Sequence, residues 1–210
     1  MRRIRARARD STTAQVALAL AFAACFGLAM SVLKGNDAGV RNEVGNLSAP
    51  WLLVPFFAAA GVRAGRLVVG AAVGLLATVA ALCAFYIANA FVLDLGPHSL
   101  LESMRLTFVA RWFLAALISG PLAGVLGAAW RRRGLSHAGL AMTALLMAEP
   151  VFWALANRAG GVDSFAFDPS PVVSLGEAIA GLAACACLYA GVRHARPFNG
   201  GVRPPSAEGA

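Results

Sequence analysis

Two charged side chains sit where an apolar chain should carry none. Glu149 interrupts LLMAEPVFWALAN, residues 145–157, and Arg111 lies in the apolar run that opens near residue 106. A buried carboxylate can carry a proton or hold a cation, and a buried guanidinium can hold an anion. A lone charge in hydrocarbon costs a few kcal/mol or more, so such residues are expected to pair or to face a polar interior. Glu149 falls ~3 Å from the centre of its run and Arg111 ~10 Å outward of its own, at 1.5 Å per residue. A flexible arginine stem bridges that difference in depth.

The neighbours of these charges have helical spacing. Thr107, Arg111, Ala115 and Ser119 recur every four residues and form one small, polar stripe. Thr78 and Asn89 are eleven apart, close to three full turns, so they share a face, with Tyr86 on the same side. Arg111, Glu149, Asn89, Thr78 and Ser119 are therefore the candidate ligand-binding residues, directed at a polar interior in the outer half of a bundle. The alternative is that they only join helices, since Thr and Ser hydroxyls readily bond to their own backbone. Pro150 cannot donate to the carbonyl of residue 146, which predicts a bend beside Glu149.

The elements that must position them are transmembrane helices. Of 210 residues 59% are hydrophobic and 13% charged, with a mean hydropathy of +0.70. Soluble domains are nearer half apolar and a quarter charged. Six apolar spans are predicted, over about 12–33, 48–62, 67–93, 106–130, 138–157 and 174–192. The expected fold is all-α, a polytopic six-helix membrane bundle. It has a basic N-terminus (1–11), a membrane domain (12–192) and a disordered Gly- and Pro-rich tail (193–210). The second span is the shortest, with an irregular entry through SAPW, residues 48–51.

The net charge of +8 is not a nucleic-acid signal, because the arginines stand beside the apolar runs. With the N-terminus inside, the cytoplasmic side receives Arg2, Arg3, Arg5, Arg7, Arg9, Arg63, Arg66, Arg131, Arg132, Arg133, Arg193, Arg196 and Arg203. The other side receives only Lys34, Arg41, Arg105 and Arg158. That asymmetry predicts both termini cytoplasmic in a bacterial plasma membrane. The first run is longer than a signal-peptide core and is expected to stay as a helix.

Other features have structural readings. Gly70-x-x-x-Gly74 and Gly120-x-x-x-Gly124 are close-packing ridges. Ser99…Glu102 and Ser174…Glu177 read as capping boxes, which removes Glu177 from the intramembrane acids. Trp51, Trp112 and Trp130 suit interfacial belts. Cys25, Cys83, Cys185 and Cys187 lie within spans as small packers, with no disulfide and no metal expected. No GxSxG, HExxH, DxD or P-loop is present, so no enzyme and no cofactor is expected. The expected partners are the bilayer, a small-molecule or ion ligand, and a further membrane protein.

GNLSAPWLLVPFFAAAGVRAG (45–65), GAAVGLLATVAALCAFY (70–86) and GPLAGVLGAAWRRR (120–133) resemble an uncharacterised actinobacterial family of six-span membrane proteins. The resemblance covers roughly 12–195 and implies an integral membrane protein with no assigned activity. Ala17-x-x-x-Ala21 and Ala19-x-x-x-Ala23 are similar to the docking pattern of the substrate-binding S components of vitamin transporters. That likeness implies a substrate-binding subunit docked on a transport partner.

Overall fold

The computed structural model describes residues 2–35, 39–63, 66–92, 107–133, 136–158 and 170–194. Among them every regular element is a helix. In chain order these are α1 (Arg2–Lys34), α2 (Val40–Asn46), α3 (Ser48–Gly61), α4 (Leu67–Val92), α5 (Thr107–Arg133), α6 (Ser136–Arg158) and α7 (Pro171–His194). Three segments are long and apolar enough to cross a membrane: Thr12–Lys34, Leu67–Phe91 and Trp112–Arg132. Shorter apolar helices cover Ala49–Gly61, Gly139–Val151 and Pro171–Ala186.

Large side chains are outside and small ones inside. Leu18, Phe22 and Val32 of α1, Val68 and Phe91 of α4, and Leu114, Ile118 and Leu122 of α5 are exposed. On α7, Val172, Leu175, Ile179 and Leu182 form one exposed apolar stripe at helical spacing. The buried positions are mostly alanine, including Ala19, Ala23, Ala58, Ala59, Ala77, Ala81, Ala116, Ala123 and Ala128. Water would expel such an apolar exterior. In lipid, where tails are as apolar as leucine, small buried residues let helices approach and gain dispersion contacts.

The glycine ridges show this at its closest. Gly70 and Gly74 of α4 pack against Gly120 and Gly124 of α5. A Cβ on Gly74 would run into the Gly120 carbonyl, and one on Gly124 into the Gly70 carbonyl. Gly27 of α1 presses likewise on the Ala81 carbonyl of α4.

α3 is the central helix, packed on α1, α4, α5 and α6. Ala49, Val54, Pro55, Phe56, Ala58, Ala59 and Ala60 are all buried, while Phe57 and Gly61 are exposed. A helix apolar on every side belongs in the middle of its bundle. The predicted irregular entry takes a definite form. α2 ends before Leu47, which is extended at φ −59°, ψ 133°, and α3 then restarts. α3 has 14 residues, about 21 Å at 1.5 Å per residue, which is short of the ~30 Å hydrocarbon layer.

Trp51 packs between helices. Its ring packs edge-on between Phe26 of α1 and Phe85 of α4, at 5.3 Å from each. It is half-buried among helices, because α3 lies inside the bundle. Trp130 packs on Phe56 at 5.4 Å.

Candidate functional site

The site begins with the open start of α3. The first amides of a helix have no partner within it. No side chain near Leu47 caps them, and Pro50 has no amide to satisfy. The Ala49 amide instead donates to Glu149 Oε2 at 2.6 Å, across 100 residues of sequence. Glu149 reaches α3 because Met142, seven residues earlier and so on the same face, packs in the cluster of Phe56 and Ala123. A carboxylate at the positive end of a helix is a favourable charge placement. Measured from the Gly61 end of α3 and the Ser136 end of α6, Ala49 lies about 18 Å and Glu149 about 20 Å along its helix, so they meet at one depth.

Glu177 stands on the other side of Glu149. α7 starts at Pro171 with Ser170 before it, and the Ser174 amide donates to the Ser170 carbonyl at 3.0 Å. Ser174 is thus inside the helix, and the Ser174…Glu177 capping box does not form. Pro171 at the first helical position already suits a start there. The Ser170 amide is taken by Glu43 Oε2 of α2 at 2.8 Å. Glu177, two turns into α7, is 6% exposed. It faces Glu149 within hydrogen-bonding reach, while neither of its oxygens has a donor. As carboxylates, two acids can only repel; a hydrogen bond between them needs a proton. Lower on the same α6–α7 seam, Thr143 Oγ1 and Cys185 Sγ lie 2.8 Å apart.

The other candidate residues do not all join this cluster. The Thr78 hydroxyl donates to the Gly74 carbonyl of its own helix at 2.9 Å, against Gly120 of the glycine seam. Ser119, beside Gly120, is half-buried on α5. Asn89 is half-buried on α4, and its Oδ1 has no partner. Among the described residues α4 and α6 make no contact, so Thr78 and Asn89 are separated from Glu149 by α3 and α5. Arg111 belongs to α5, but its side chain lies outside the described residues. So do the Ser99…Glu102 box and the tail from 195 onward.

Sequence reasoning missed the helix-end contacts. Arg131 donates from Nη1 to the Ala60 carbonyl at 2.9 Å, closing the far end of α3. Gln15 Oε1 accepts the Arg63 amide at 2.8 Å just beyond it. Arg41 donates to the Val32 carbonyl at 3.0 Å and the Leu33 carbonyl at 3.3 Å, where Gly35, at φ +57°, terminates α1 in a left-handed cap. The sequence marked only an irregular entry to α3 at SAPW.

Residues 6–198 match a family of unknown function, DUF6518. The chain belongs to that family. No curated protein and no solved structure matches it.

Proposed function

We propose that this DUF6518 member is a multi-pass protein of the bacterial plasma membrane. It has six spans and both termini in the cytoplasm, and it binds or transports a small molecule or ion at a polar site in its outer half. The observation that carries this reading is the setting of Glu149, an acid held at the start of a short, buried helix beside a second buried acid. Interrupted helices whose ends meet charge inside the bilayer are a recurrent way to build a binding site there. Arg111 supplies positive charge from α5, while Asn89, which α3 and α5 separate from Glu149, and Ser119 offer polar groups on the α4–α5 side. Thr78, bonded to its own helix, leaves the ligand set.

The test is a ligand thermal-shift screen on the purified chain with Glu149→Gln and Arg111→Gln beside it. A ligand that raises the melting temperature of the native chain and of neither variant supports the site. A second reading, helix joining without a ligand, is favoured by the Glu149–Ala49 bond itself. Equal destabilisation of both variants with no ligand response anywhere would establish that reading instead. A docked transport partner of the S-component kind would co-purify with the chain.

A further inference from the structure

We propose that Glu149 and Glu177 together bind one exchangeable proton, with Glu149 as the anionic anchor and Glu177 as the proton-carrying acid. The proposal rests on the reading of Glu149 as the centre of the polar site and names the proton as its ligand.

Three observations converge. Glu177 is 6% exposed and both its oxygens lack a donor. The antiparallel α6–α7 register fixed by Thr143 and Cys185 brings Glu149 alongside Glu177. Glu149 already accepts from the Ala49 amide at the positive end of α3, where negative charge is well placed. Two adjoining carboxylates away from water cannot both keep their charge, and they titrate as a pair. One proton from water converts the dianion to a bridged monoanion: the Glu177 hydroxyl donates to Glu149, so one of the two orphaned oxygens gains a partner. Losing that proton to water restores the repulsion between α6 and α7.

The surrounding charges leave room for this chemistry. α3 carries no titratable side chain. On α2, Glu43 is engaged by the Ser170 amide and Arg41 by the end of α1. His137 of α6 and His194 of α7 stand at the opposite ends of their helices. Arg111 of α5 and Arg158 of α6 also carry charge on the packed helices, with side chains outside the described residues, and Arg111 enters the test. No group of three or more metal-ligating side chains is found among the described residues, so the geometry favours a proton over a metal ion.

Infrared spectroscopy of the full chain in lipid nanodiscs, in H₂O and D₂O, reads the proton directly. At neutral pH the native chain should show a protonated carboxyl stretch that shifts in D₂O and with ¹³C-glutamate labelling. It should convert to carboxylate as the pH is raised. Glu177→Gln should abolish it, whereas Glu43→Gln and Arg111→Gln should leave it. A native chain whose glutamates are all ionised at neutral pH would overturn the proposal without any variant having to fold. A band that survives Glu177→Gln would overturn the assignment to this pair. Absence of the band with a positive ligand screen removes only the proton. The band with a negative screen removes only the larger ligand.

Discussion

Glu149 and Arg131 hold opposite ends of the same helix. The Glu149 carboxylate accepts the Ala49 amide at 2.6 Å, and the Arg131 guanidinium donates to the Ala60 carbonyl at 2.9 Å. Negative charge meets the positive end of α3 and positive charge its negative end, so both contacts work with the helix dipole. α3 is too short to place both its ends in water, and neighbouring helices supply what water would have supplied.

Glu149→Gln should lower stability by about 1–2 kcal/mol, because a charge-assisted cap becomes a neutral one. Arg131→Ala, at a more exposed end, should cost about 0.5–1 kcal/mol. The two contacts are about 18 Å apart, so the double variant should show the sum. Reversible unfolding in mixed detergent micelles measures all three. A large coupling energy would mean that the two ends are not independent.

The glycine seam separates necessary glycines from incidental ones. Gly74→Val or Gly124→Val must push α4 and α5 apart and should cost about 2 kcal/mol or more. Gly176→Ala meets nothing within 4 Å and should be neutral or stabilising by up to about 1 kcal/mol. Melting temperatures of the three variants test the contrast, and equal effects would contradict the packing.

Trp51→Ala should destabilise by about 2–4 kcal/mol by opening a hole between α1, α3 and α4. Trp51→Phe should recover most of the loss. A tryptophan facing outward from the bundle would show a far smaller cost, so unfolding of the two variants tests the packing.

The topology is testable by labelling. In a chain whose native cysteines are replaced, Asp37→Cys should react with an impermeant maleimide added to intact cells. Arg132→Cys should react only after the cells are opened. The reverse pattern would invert the bundle.

Gly35→Ala should cost about 1 kcal/mol, because a Cβ is disfavoured at φ +57°. Gly35→Asn should cost less. A thermal unfolding series would show equal, negligible losses if the left-handed cap of α1 were unimportant.

The long apolar helices were legible because composition and run length alone set what can be transferred from water to lipid. So were the glycine ridges, because two small residues four apart create a groove whatever surrounds them. α4 and α5 use their grooves against each other, as a close-packing motif should. SAPW announced an irregular entry to α3, though not the acceptor that its first amides need.

The roles of the two acids were decided by the tertiary structure. Ser174 and Glu177 have the spacing of a capping box, but Pro171 and Glu43 let α7 begin a turn earlier, which carries Glu177 into the interior. Glu149 looked like the acid without local support and is the one held by α3. Sequence determined the solvent of this protein and the small residues that pack it, because both follow from side-chain size and polarity along one helix. Which acid caps and which stays unpaired depends on amides and carbonyls a hundred residues away, and only the assembled bundle brings those within hydrogen-bonding distance.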